Sequence, residues 1–184
     1  MRGFENRYEL AHLISCRLMG TITPEEEERF QKWWKESAQA QQFMKDNNLK
    51  DEDELQSYFI HYVGDVINKK GKTVVGWNEI LEGGLAPDAI VMSWQGTSGG
   101  ITAAKSGHRV IMTPSGYSYY NNMQSRNQTQ VTHQGYLPVD KVYGYQVIPD
   151  ELTKDQAGNI IGVQACLWTE YFPTTAKVEW ALFP

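Results

Sequence analysis

The chain has 184 residues, 41% of them hydrophobic and 12% aromatic, enough to bury a core and too apolar for a disordered chain. Its 17 basic and 22 acidic residues are interspersed and give a formal net charge of −5. That argues against nucleic acid as a partner, which needs a basic stripe. No apolar run approaches the roughly 18 residues of a membrane span, and the first twenty residues, with Glu5 and Glu9 among them, do not read as a signal peptide.

Residues 1 to 47 read as helices only. "RYELAHLISCRLMG" sets Leu10, Leu13, Ile14 and Leu18 at helical spacing and stops at Gly20. "TITPEEEERFQKWWKES" restarts, with Thr23 suited to the N-cap, Pro24 to the first helical position and the glutamates to the positive end of the dipole. Phe30, Trp33 and Trp34 form its apolar face, and the tryptophans are expected to pack helices rather than a ligand.

From residue 48 helix and strand alternate. "DEDELQSYFIHYVGDVINKKG" predicts an amphipathic helix with Leu55, Phe59, Ile60, Val63, Val66 and Ile67 on one side, acids at its start, lysines at its end and Gly71 as its stop. Then follow a strand "KTVVGW", a strand "AIVMSW", a helix at "GGITAAKSG", a strand "HRVIMTP", a long polar loop, a strand "IIGVQACLW" and a helix start around "TAKVEWALFP". The four strands are continuous apolar runs, which implies burial on both faces in a parallel sheet covered by helices.

The functional face of such a fold lies at the C-terminal ends of the strands. Three of the runs end on a tryptophan: Trp77, Trp94 and Trp168. Converging on one rim, they would offer flat apolar walls suited to a sugar ring, whose hydroxyls need polar partners. Such partners follow the strands: Asn78 and Glu79, Gln95, Tyr119 and Asn121, and Glu170. From composition alone, tryptophans that merely plug the top of the core fit equally well. The four histidines are scattered without metal-ligand spacing, so neither a metal nor another cofactor is expected. Cys16 and Cys166, at opposite ends of the chain, read as two unpaired thiols rather than one bridge.

"GWNEILEGGLAPDAIVMSWQGTSGGITAAKSGHRVIMTP", "LPVDKVYGYQVIP" and "GVQACLWTEYF" together resemble the β-N-acetylhexosaminidases of glycoside hydrolase family 20, from about residue 48 to the C-terminus. The resemblance implies an α/β fold, the last four strands of a (β/α)8 barrel, preceded here by the short helical segment. It also implies a glycan partner carrying terminal N-acetylglucosamine or N-acetylgalactosamine. Complete members are often exported. By resemblance, Trp77, Trp94 and Trp168 wall the acetamido pocket, Tyr119 bonds the acetamido carbonyl oxygen, and Glu170 grips the distal hydroxyls. Asn78 and Asn121 stand where the family usually has aspartate, which implies weaker sugar affinity through loss of charge.

The family is a substrate-assisted exception among glycosidases: an Asp-Glu pair after the fourth strand orients the acetamido group and protonates the leaving oxygen. No strand carrying that pair is readable, and "DEDE" at residues 51–54 reads as a solvated helix start. Since a complete barrel takes roughly 250 residues, the expectation is a C-terminal half-barrel, inactive alone and prone to self-association through open sheet edges. Residues 7 to 45 resemble the N-terminal helical segment of FecR-type anti-sigma regulators, which implies a sigma-factor contact and, as an alternative, a regulatory module. A non-catalytic carbohydrate-binding protein is the other alternative.

Overall fold

The computed structural model describes residues 22–183, with the side chains of residues 33–36 left out. The helix expected before Gly20, Cys16 and the packing of Trp33 and Trp34 therefore lie outside what is described. Thr23 opens the first described helix, α1 (Pro24–Glu36), in a reciprocal box. The backbone N–H of Thr23 donates to Glu26 at 2.9 Å, and that of Glu26 donates to the Thr23 hydroxyl at 3.3 Å. Helix α2 (Ala38–Asp46) starts at Ser37, whose side chain accepts from the Ala40 N–H.

Asp51 caps α3 (Glu52–Asn68), so the acidic run at 51–54 is a helix start, tied further by a Lys50–Glu54 ion pair of 3.0 Å. The buried side of this helix departs from expectation. Leu55, Ser57 and Gly64 are buried, whereas Phe59, Val63 and Val66 are exposed. Small residues allow the close approach: the Ser57 hydroxyl donates to the Gly84 carbonyl at 2.7 Å, and Gly64 packs beside Ala86. Gly83 has φ +70°, and a β-carbon there would fall 2.1 Å from the Asp53 carbonyl oxygen, so the turn meets α3 backbone to backbone.

The four expected parallel strands form one sheet in the order β1 (Val75–Trp77), β2 (Ile90–Ser93), β3 (Val110–Met112) and β6 (Ile160–Val163). Helix α4 (Ser98–Lys105) crosses over β2 and β3. The core gathers beneath it: Ala103 and Ala104 pack with Val91, Val110 and Met112, joined by Ile80, Ala86 and Ala89. Only β2 and β3 are largely buried. Val75 on β1, and Ile161 and Val163 on β6, are exposed, because each of these strands has a sheet neighbour on one side only among the described residues.

Two strands are shorter than their apolar runs. β1 begins only at Val75 because the preceding residues still close α3, with the Gly71 and Lys72 N–H groups bonded to Asn68 and Ile67. β6 ends at Val163, after which Cys166 bridges to Tyr119, so Trp168 lies beyond the strand rather than at its end. The expected polar loop after β3 is ordered. It carries α5 (Ser115–Ser118), the parallel pair β4 (Asn122–Met123) and β5 (His133–Tyr136), α6 (Val139–Tyr143) and α7 (Lys154–Ala157). Helix α8 (Thr175–Leu182) follows, capped by Thr174. Among the described residues no helix is long and apolar enough to cross a membrane.

Candidate functional site

The C-terminal ends of the four strands surround a cavity of about 570 Å³. Its lining includes six of the nine residues singled out from the sequence, Trp77, Trp94, Tyr119, Asn121, Trp168 and Glu170, and does not include Gln95. Trp77 is the last residue of β1, Trp94 directly follows β2, and the segment after β3 delivers Tyr119 and Asn121. Backbone bonds then tie that segment to the one after β6. The Tyr120 N–H donates to the Cys166 carbonyl, and the Cys166 N–H to the Ser118 carbonyl, each at 2.7 Å. This stitch seats Tyr119 beside Trp168.

The four aromatics form a continuous wall. Ring centroids of Trp77 and Trp168 lie 6.0 Å apart, those of Tyr119 and Trp168 6.3 Å, and Trp94 meets Tyr119 edge-on at 6.2 Å and 85°. Such distances and tilts are favourable for aromatic pairs. Trp168 stays 38% exposed, as an open wall requires and a core plug does not. Tyr119 is buried, and that burial is the main reason its phenol is pushed up to about 12; the neighbouring Cys166 and Glu79 add to the rise, while a hydrogen bond with Trp168 opposes it. Throughout the neutral range Tyr119 is therefore a hydroxyl able to donate.

Asn121 is buried, and its side-chain Oδ1 has no hydrogen-bond partner. A buried acceptor left in this state costs free energy that a ligand donor recovers. Glu170, exposed at the rim, is the one carboxylate among the described lining residues.

Asn78 and Glu79, expected near the ligand, do not line the cavity; both are committed to the protein. The Asn78 amide oxygen accepts the backbone N–H groups of Trp94 at 3.0 Å and Gln95 at 3.2 Å, and its NH2 donates to Gln95 at 2.8 Å. The Glu79 carboxylate accepts the Trp94 indole N–H. The expected loss of sugar affinity through Asn78 therefore has no direct contact behind it. Conversely, Ser115, Gly116, Asn122, His133, Gly135 and Tyr136 also line the cavity, and sequence reasoning missed them. Their one signal, visible only once Asn122 and His133 are paired, is Gly135, where a β-carbon would fall 2.5 Å from the Asn122 side chain.

Comparison with known proteins gives this geometry a lineage. Residues 21–184 match the catalytic domain of glycosyl hydrolase family 20. A β-hexosaminidase of Porphyromonas gingivalis is 48% identical over 153 residues, which make up 82% of this chain and 20% of that protein. An inactive variant of the exo-β-N-acetylglucosaminidase of Vibrio harveyi superposes with a TM-score of 0.73 at 26% identity, over 82% of this chain and 24% of its own. The chitobiase of Flavobacterium johnsoniae gives 0.67 at 26% identity, over 96% of this chain and 27% of its own. The chain thus spans about a fifth to a quarter of these relatives' length. The resemblance of residues 7–45 to anti-sigma regulators finds no support in these matches, and the family match itself takes in residues 21–45. The apolar strand runs, the aromatic wall at their ends and the family match agree: the chain belongs to glycosyl hydrolase family 20.

Proposed function

We propose that this chain supplies the sugar-seating part of a β-N-acetylhexosaminidase, whose complete form removes terminal N-acetylglucosamine or N-acetylgalactosamine from glycans with the substrate's own acetamido group as nucleophile. Trp77, Trp94 and Trp168 wall the acetamido group, and Tyr119 donates to its carbonyl oxygen. Asn121 accepts from a ring hydroxyl, and Glu170 holds the distal hydroxyls. The observation that carries this reading is the continuous aromatic contact chain that includes a phenol held protonated, beside a buried amide oxygen that lacks a donor. An N-acetyl group has the matching features: a methyl for the apolar wall and a carbonyl for the phenol. The division of the chain near residue 47 is part of the same proposal, supported by the positive φ of Asn48 (55°) and the fresh helix cap at Asp51.

Among the described lining residues the acid and the orienting carboxylate of the family mechanism have no counterpart. General acid catalysis contributes about 10² to 10⁴-fold, so the 184-residue polypeptide should bind without turning over. Calorimetric titration tests this directly. N-acetylglucosamine should bind saturably and glucose should not, since glucose lacks the acetamido group. Nitrophenyl N-acetylglucosaminide should release no nitrophenol above a Tyr119→Phe control. Equal binding of the two sugars would refute the acetamido seat, and turnover above the control would refute the assignment of roles.

A further inference from the structure

The cavity wall is built partly from outside the cavity. After Trp77 the chain turns through a short 3-10 helix (Asn78–Leu81). The first two side chains of that turn reach across to the next strand end. One Glu79 carboxylate oxygen accepts the Trp94 indole N–H at 2.8 Å, the other stands 3.1 Å from it, and the Gln95 amide lies 3.5 Å from the first. Asn78 meanwhile holds the backbone N–H groups of Trp94 and Gln95. Trp94 is thus gripped at its backbone by one residue and at the far edge of its ring by the next. Helix α4 closes behind the grip, because a β-carbon at Gly99 would fall 2.9 Å from the β-carbon of Asn78. Neither Asn78 nor Glu79 lines the cavity.

We propose that Glu79 is a positioning residue: its carboxylate, seated behind the wall, fixes the tilt of the Trp94 indole and through it the edge-on contact that holds Tyr119, while Asn78 fixes the backbone beneath. The physical case is one of degrees of freedom. A tryptophan side chain has two torsions, and a backbone clamp alone leaves both free to sample. A charged acceptor on the indole N–H makes a hydrogen bond roughly twice as strong as a neutral one. It selects the single orientation in which the ring faces the cavity and its edge meets Tyr119 at 85°. The same charge adds to burial, the main cause, in keeping the Tyr119 phenol protonated. The assignment rests on the sugar-seat reading only for its ligand readout.

The full chain, labelled with 15N in its tryptophan side chains, provides the test, with the Trp94 signal identified by its loss in Trp94→Phe. In Glu79→Ala the Trp94 indole N–H should exchange with solvent at least about tenfold faster, since a hydrogen bond to a charged group is lost, while those of Trp77 and Trp168 change little. Affinity for N-acetylglucosamine should fall about tenfold for the same reason, and Glu79→Gln, which keeps an acceptor oxygen, should recover most of both losses. Unchanged exchange at Trp94 would overturn the proposal. So would equal acceleration at all three tryptophans, which would mean general loosening. If Glu79→Ala does not fold, Glu79→Gln alone decides: a shifted Trp94 indole signal with the other indoles unmoved supports the assignment, and an unmoved Trp94 signal overturns it. Failure of the wild-type chain to bind the sugar would count against the seat, while the exchange readout would still judge Glu79.

Discussion

Trp168 is the single side chain at which a ligand wall and a core plug predict different outcomes. A core tryptophan replaced by alanine leaves a cavity and costs about 3 to 5 kcal/mol of stability. Trp168 is 38% exposed, with ring contacts to Trp77 and Tyr119, so its removal opens little interior space. Trp168→Ala should leave the melting temperature nearly unchanged and weaken N-acetylglucosamine binding by about 1 to 3 kcal/mol, as for a packed aromatic anchor. A collapsed melting temperature with unchanged affinity would return the residue to the core. Tyr119 and Tyr145 carry a second expectation. Both phenols are pushed up to about 12, chiefly by burial. The unfolded chain ionises them near 10 while the folded chain keeps them neutral, so the unfolded state binds fewer protons in that window. Stability should therefore be intact below pH 10 and fall as pH rises towards 12. Denaturant midpoints should show a slope there that becomes shallower in Tyr119→Phe; an equal slope in that variant would remove Tyr119 from the account.

At the scale of elements, the strand ends do the positioning, and buried polar links keep them in place. Ser93, fully buried at the end of β2, donates its hydroxyl to the Gly96 carbonyl at 2.9 Å and accepts the Gly100 N–H at 2.8 Å. It thereby joins the strand to the first turn of α4. Ser93→Ala would leave the buried Gly100 N–H and the half-buried Gly96 carbonyl without this partner, at a cost of about 1 to 3 kcal/mol. Urea unfolding should show that loss, and a change below about 0.5 kcal/mol would mean that other groups take over the bonds. Continuous apolar runs made the strands, their order and the tryptophans after them readable in the sequence. The site residues His133 and Tyr136 were not readable, because β4 and β5 are short and polar and declare themselves only by pairing with each other. Helix α3 misled in a different way. Its apolar side chains suggested one buried face, but the face that packs is the one whose small residues, Ser57 and Gly64, let backbones approach.

For the molecule as a whole, the described sheet has two unpaired edges. β1 and β6 each face a strand on one side only, with Val75, Ile161 and Val163 exposed near those edges and Phe59, Tyr62 and Val63 exposed on α3. Unpaired strands with apolar side chains are templates for further pairing. Light scattering on the purified 184-residue chain should therefore show self-association that grows with concentration, and a stable monomer at high concentration would contradict it. That property concerns edges, whereas the function proposed for the chain concerns the strand ends. The most direct test of that function is a crystal structure of the chain with an N-acetylglucosamine thiazoline. The thiazoline methyl should lie between Trp77, Trp94 and Trp168, with the Tyr119 hydroxyl and Asn121 within hydrogen-bond distance of the ligand. A sugar bound elsewhere on the ordered molecule, or seated with its ring away from the three tryptophans, would contradict it.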